Sequence, residues 1–353
     1  MTELKRLHRH MLPTAVLGVD MRSDGSTLYA ACMDGVYEVN AESGAARQLY
    51  THDRYASRVA LLEKAGTLVS AGYDGALKWY DLTGGKLVRT VKAHNFWSWS
   101  LAVSPDGKYV ASVTGQYLSG GPKYEPAPET EPSVKVFDAA TGALVGSFSH
   151  VPSVQSVAFS PDSRYVAAGN LMGEVRVWDV PAGKQVASWT TDSFTSWGII
   201  KSHCYLGGIF GMAFAPGGEE LIVCGMGPMR DPMAGNGKQL WQRFAWKESP
   251  AKMVAETKAS ESGEGLMEAL AVHPGGSHFV MSGRLRGGSW NTGLFSLADG
   301  ALQHSLKTDT RVTGAAFTAD GSRLALGGTR SQPMPKDGKI EPFGHVDLFE
   351  VTL

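Results

Sequence analysis

Residues 150–188 read HVPSVQSVAFSPDSRYVAAGNLMGEVRVWDVPAGKQVAS, and this stretch decides the fold. Val154, Val157 and Phe159 lead into a turn at Ser160-Pro161-Asp162-Ser163. Then come Tyr165 to Ala168, a turn at Met172-Gly173, Val175 to Asp179, a turn at Pro181-Ala182-Gly183, and Gln185 to Ser188. Short β-branched and aromatic runs separated by Pro, Asp and Gly are strand-and-turn chemistry, and no segment keeps a helical period. The unit reads as a four-stranded antiparallel meander.

Degraded copies recur along the whole chain. The first turn returns as Ser23-Asp24-Gly25, Lys64-Ala65-Gly66, Ser104-Pro105-Asp106-Gly107, Ala215-Pro216-Gly217-Gly218, His273-Pro274-Gly275-Gly276 and Thr318-Ala319-Asp320-Gly321. The third strand of each copy closes on an aromatic: Tyr37, Tyr80, Phe137, Trp178, Trp246, Phe295 and Phe349. A further turn repeats as Glu42-Ser43-Gly44, Leu82-Thr83-Gly84-Gly85, Ala140-Thr141-Gly142 and Ala298-Asp299-Gly300. One such sheet cannot bury both of its faces, so copies with a period of about 40 residues must stack. The expectation is an all-β, seven-bladed β-propeller closed as one domain over 1–353, with blades at 14–51, 52–93, 94–149, 150–191, 192–260, 261–309 and 310–353.

The alternation of SPDG turns, VWD strand ends and TG turns resembles the WD-repeat β-propeller family over essentially the whole chain. It is specific in blades 2, 3 and 4 and weak in blades 5 and 6. The resemblance implies a His ahead of the first strand that bonds across the blade to an Asp in the turn between second and third strands. His52 with Asp74, the Ser70 hydroxyl and the Tyr80 position come closest, while His94 and His150 fill the His position in blades that lack the Asp. The resemblance also implies a rigid platform inside larger assemblies.

The last blade lacks its outer strand at the C-terminus. Leu4 to His10 precedes the first blade and belongs to none, so residues 2–11 are predicted to supply that strand. Such a clasp removes sheet edges that would otherwise invite aggregation. His8 and His10 share one side of that strand, but no third metal ligand accompanies them.

Composition narrows the function. The chain is 43% apolar and 19% charged with a formal charge of −1, which gives no basic face for nucleic acid or an anionic membrane. Cys32, Cys204 and Cys224 show no Cys-x-x-Cys spacing, so neither a disulfide framework nor a structural zinc site is expected. The N-terminus shows no apolar leader run, and a cytoplasmic setting is expected. Catalytic signatures are missing as well: there is no Gly-x-Ser-x-Gly elbow, zinc helix, phosphate loop or dinucleotide fingerprint. Adjacent residues of an extended chain point apart, which argues against His203-Cys204 as a base and thiolate pair. Asp231 and Asp337 lack the spacing of a calcium loop. No cofactor and no metal are expected.

The insertions are the most informative feature. They run from Gly115 to Ser133, Thr191 to Gly208, Gly225 to Lys238, Arg284 to Thr292 and Thr329 to Gly344. All fall between second and third strands or between blades, which places them at one end of the disc, a loop-crowned face opposite a plain one. Aligning the first strands puts Arg58, Trp99, Gln155, Phe210, Glu268 and Thr313 around the crowned end of the central channel. Tyr55, Trp97, Tyr117, Trp197, Tyr205 and Trp290 add the aromatic content typical of interaction hot spots. Trp178, Trp241 and Trp246 read as core.

The function expected is a non-enzymatic protein-interaction scaffold. It binds a protein or peptide partner on the crowned face through Tyr55, Arg58, Trp97, Trp99, Tyr117, Trp197, Phe210, Glu268 and Trp290. The competing expectation is a propeller hydrolase, a lactonase-like enzyme or a small-ligand binder with its site at the channel mouth. Homo-oligomerisation through the loops stays open.

Overall fold

A computed structural model of the chain describes residues 2–115, 129–151, 153–194, 208–231, 236–263, 265–285, 288–336 and 339–353. Seven four-stranded antiparallel sheets stand around a central axis, six in meander order from the inner strand outward and the seventh completed by the N-terminal strand. Blade 1 runs Val16–Met21, Thr27–Cys32, Gly35–Asn40 and Ala46–Tyr50, and blade 4 runs Val154–Phe159, Tyr165–Asn170, Glu174–Asp179 and Lys184–Thr190. No helix among the described residues is long and apolar enough to cross a membrane.

The first turn of every blade contains one left-handed residue. Glycine provides it at Gly25, Gly66, Gly107, Gly218, Gly276 and Gly321, while Ser163 takes φ 62° in blade 4. A side chain at φ > 0 costs energy that glycine avoids, so this one requirement stamps the recurring turn on the sequence. The aromatic that closes the third strand follows a stricter register. The residues facing Leu28, Leu68, Val110, Val166, Leu221, Phe279 and Leu324 are Val39, Tyr80, Phe137, Trp178, Phe244, Phe295 and Phe349. Blade 1 therefore places Val39 where Tyr37 was expected, and blade 5 places Phe244 where Trp246 was expected.

The hydrophobic interior belongs to pairs of blades. Leu62, Val69 and Trp79 of blade 2 pack with Leu101, Val110 and Phe137 of blade 3, and Ile222, Cys224 and Trp241 of blade 5 pack with Met267, Phe279 and Phe295 of blade 6. Five further clusters join the remaining neighbours round the ring, including blade 7 to blade 1. Trp178, Trp241 and Trp246 are all buried, and Cys32 and Cys224 are buried free thiols within these layers.

The N-terminal strand Glu3–Leu12 is the outer strand of blade 7. It pairs antiparallel with Gly344–Thr352, from Glu3 opposite Thr352 to Leu12 opposite Gly344, with a register shift between Arg6 and His8. The seam is fastened by Arg9, whose guanidinium donates to both carboxylate oxygens of Asp347 at 2.6 and 2.7 Å. His8 stacks on His10 with ring centroids 5.5 Å apart. His10 is occupied with the Ala41 carbonyl at 2.7 Å.

In blade 2, His52 lies 3.0 Å from an Asp74 oxygen and 2.7 Å from the Ser70 hydroxyl. The phenol that completes the network is Tyr50, donating to Ser70 at 3.0 Å, not Tyr80, which stacks on Tyr50 at 5.1 Å. Burial opposes ionisation of Asp74. The His52 contact and the Ala76 and Asp53 amides outweigh it and hold the carboxyl at about 2, below its ordinary 3.8. A depressed acid stabilises the fold above its unfolded pKa and loses that contribution as pH falls through the folded one. Asp74→Asn is therefore expected to cost about 2 kcal/mol at neutral pH and to flatten the acid limb between pH ~4 and ~2, as read from urea midpoints across that range.

The insertion at Gly225 to Lys238 differs from the loop expected. Most of it continues the two strands, Glu220–Asp231 and Asn236–Ala245, into a hairpin longer than its counterparts.

Candidate binding surface at the channel mouth

Each inner strand has one irregularity at the same place. The pairing of first to second strand skips a single residue in every blade: Leu17, Ser57, Trp99, Gln155, Phe210, Glu268 and Thr313. A β-bulge leaves its extra residue unpaired and re-aims that side chain. Here all seven bulge residues line one cavity of ≈150 Å³ at the end of the central channel, together with Arg58, Tyr73 and Arg311. A second cavity of ≈180 Å³ continues along the axis between the inner strands.

The bulge in blade 2 is at Ser57, so the position equivalent to Trp99 and Phe210 is Ser57 and not Arg58. Ser57 ties the ring together by donating to the Ser98 carbonyl at 2.6 Å. Arg58, one residue further on, still reaches the mouth. Its guanidinium donates to the Leu17 carbonyl and, at 2.8 Å, to that of Thr313. Burial lowers its pKa, with the Glu268 charge acting in the opposite sense. Glu268 is buried and is gripped by Arg311, which donates to its two oxygens at 2.5 Å each. That bond raises the Arg311 pKa.

Beside the mouth is a terrace of aromatic rings. Tyr73 stacks on Trp97 at 4.6 Å with 8° between the planes, Phe96 stacks on the same indole at 5.0 Å, and Trp99 meets Trp97 edge-on at 5.1 Å. Tyr55 leans on Tyr73 at 5.8 Å. Trp99 is anchored by its indole N–H, which donates to the Gly115 carbonyl at 3.0 Å. The outer members face solvent, Tyr55 at 43% and Trp97 at 39% exposure, whereas Trp79, Trp178, Trp241, Trp246 and Trp290 are buried. Thr114, the last residue of blade 3's second strand, donates to the Trp97 carbonyl at 2.7 Å, so the Gly115 to Ser133 insertion leaves the disc at this end.

The structure thus gathers Tyr55, Arg58, Trp97, Trp99, Phe210 and Glu268 at one mouth. Trp290 is not among them: it is 5% exposed and meets Phe295 edge-on at 5.9 Å inside the layer between blades 5 and 6. Tyr117, Trp197, Tyr205 and the His203-Cys204 pair lie outside the described residues. His94 is likewise no part of the mouth; it is buried against Ser112 at 3.0 Å, and burial pushes its pKa down to about 3. Sequence reasoning missed Tyr73, Phe96 and Arg311. Tyr73 was legible only as a residue of a tight turn, and Arg311 stands two positions ahead of the residue aligned in its strand.

Residues 85–119 and 142–179 match the repeat described as WD domain, G-beta repeat. Both matches begin in the turn just ahead of a blade's fourth strand, at Gly85 and Gly142, and run on into the following blade, the same one-strand offset that leaves an outer strand to be supplied at the N-terminus. WD repeat-containing protein SL1-17 of Schistosoma mansoni is 28% identical over 154 residues, covering 35% of this chain and 51% of that protein. Ribosome biogenesis protein YTM1 of Coprinopsis cinerea is 30% identical over 158 residues, 43% of this chain and 31% of that protein. Target of rapamycin complex subunit wat1 of Schizosaccharomyces pombe is 27% identical over 118 residues, 33% of this chain and 32% of that protein. The chain thus spans about half of the first relative and about a third of the other two. With seven four-stranded blades and their recurring turns in agreement, the chain is a seven-bladed β-propeller, two stretches of which match the WD repeat.

Proposed function

We propose that this propeller is a non-enzymatic scaffold that docks a protein partner on its crowned face. The terrace of Tyr55, Tyr73, Phe96, Trp97 and Trp99 carries this reading. Rigid aromatics that present area to water and are held by stacking lose little entropy when covered, which is why such rings dominate interaction hot spots. The names of two relatives agree, one a ribosome biogenesis protein and one a complex subunit.

The channel mouth does bring charged groups around a cavity, as a hydrolytic propeller requires. Its one lining carboxylate, Glu268, has both oxygens engaged by Arg311, which favours a structural role over that of a general base.

The test is capture from the native host with tagged wild type beside Tyr55→Ala/Trp97→Ala. Neither side chain belongs to the buried layers between blades, so the variant is expected to stay folded, with only a small fall in thermal midpoint from the lost ring stacking. It is expected to lose a stoichiometric partner, since each truncated anchor costs about 2 kcal/mol. Equal capture by both proteins would remove the terrace from the account.

A further inference from the structure

The charges of the mouth do not balance. Among its lining residues Arg58 and Arg311 are cationic and Glu268 is the only carboxylate, and Arg311 holds both of its oxygens. Arg58 is left with two backbone carbonyls and no carboxylate partner among the described residues. Guanidinium groups withdrawn from water are ordinarily paired with an anion, because neutral acceptors compensate the lost hydration only in part. Tyr73, Trp99 and Phe210 wall the cavity, and such low-polarity walls strengthen any charge pair formed inside it.

The imbalance continues outward. A groove of ≈630 Å³ between blades 6 and 7 has Lys307, Arg311 and Arg330 in its lining, with Asp309 as the carboxylate among its described lining residues. Asp309 is shared between Arg9 at 2.8 Å and Arg330 at 2.9 Å. Lys307 is exposed and has no ion-pair partner among the described residues. Arg311 borders both cavities, so the cationic lining is unbroken from the groove into the mouth.

Resting on the docking role of the crowned face, we propose that the occupant is an acidic peptide segment of the partner. One of its carboxylates enters the channel mouth to pair with Arg58, and flanking acids lie along the groove against Lys307 and Arg330. A polynucleotide is the weaker fit, since the patch is small and the chain as a whole carries −1.

The test is a fluorescence-anisotropy titration of the full chain with a labelled ten-residue peptide alternating Glu and Ala. Its controls are the Gln/Ala counterpart, a uridine oligonucleotide and free glutamate as competitor. The Glu peptide is expected to bind, the Gln peptide not, and added salt to weaken the complex. Lys307→Glu/Arg330→Glu is expected to weaken it about tenfold or more, as two reversed contacts near 0.7 kcal/mol each imply. Arg58→Gln is expected to abolish binding. Should that variant fail to fold, the reversal of the two exposed cations decides alone.

Equal binding of the Glu and Gln peptides, no binding of either, or indifference to the reversal overturns the proposal. Tighter binding of the oligonucleotide overturns it in favour of nucleic acid. Free glutamate competing as well as the peptide overturns it in favour of a small ligand. A partner lost with Tyr55→Ala/Trp97→Ala but retained by the reversal variant sinks the acidic segment alone and leaves the docking role standing.

Discussion

Replacing Arg9 by Met is expected to destabilise the protein by about 3–5 kcal/mol, more than any surface substitution in blade 7. Its guanidinium grips Asp347 through two hydrogen bonds, and the Asp347 side chain is only 2% exposed. The other cations nearby do not replace it. Arg6 approaches no closer than 4.0 Å from an exposed position, and burial pushes the pKa of His345 down to about 4, so that ring is neutral at pH 7. The methionine variant therefore leaves a buried carboxylate without its counter-charge. The strain falls on the contact that joins the first strand to the last, so amides of Glu3–Leu12 should lose hydrogen-exchange protection before those of blade 4. Adding Asp347→Leu to Arg9→Met should recover most of the loss, because removing both partners abolishes the unpaired charge. If Arg9→Met alone moves the urea midpoint no further than an exposed control such as Lys5→Met, the clasp is not what holds the ring shut.

Trp79→Ala is the second large effect, again about 3–5 kcal/mol. The indole is 1% exposed and sits in the layer between blades 2 and 3 against Leu101 and Phe137. Its N–H donates to the Ala139 carbonyl of the neighbouring blade at 2.9 Å. Truncation would open a cavity and orphan that carbonyl in the same place. The variant should also loosen the footing of blade 3, and with it the Trp97 and Trp99 terrace that blade carries. Near-ultraviolet circular dichroism and the urea midpoint together read both consequences. Loss of partner capture with an unchanged midpoint would contradict the packing argument.

The architecture was legible because a propeller repeats one solution seven times. A left-handed residue at Gly25 or Gly107 and a core aromatic at Phe137 or Trp178 recur at fixed spacing, so weak blades borrow certainty from strong ones. The N-terminal strand was legible for a related reason, since the count of strands in blade 7 came out one short. What sequence could not show was the bulge. One skipped residue per inner strand shifts the facing of every side chain before it, and nothing in ASRV distinguishes Ser57 from Arg58 as the residue left unpaired. The same blindness to register misplaced Tyr37 and Trp246.

Partners that meet only in three dimensions were also hidden. Tyr50 and Tyr80 stack and compete for one expected role, and Arg311 finds Glu268 43 residues away. Trp290 illustrates the converse. A tryptophan in an insertion looks exposed, yet its ring turned inward to meet Phe295.

The most direct test of the crowned face as the docking surface is a hydrogen-exchange footprint of the protein with its captured partner. The account predicts slowed exchange at 53–58, 73–75 and 95–99, the segments that carry the terrace and the mouth. The first turns at 104–107, 160–163 and 318–321, at the opposite end of the disc, should exchange as in the free protein. Protection confined to those turns, with the terrace unchanged, would place the partner on the plain face and contradict the account.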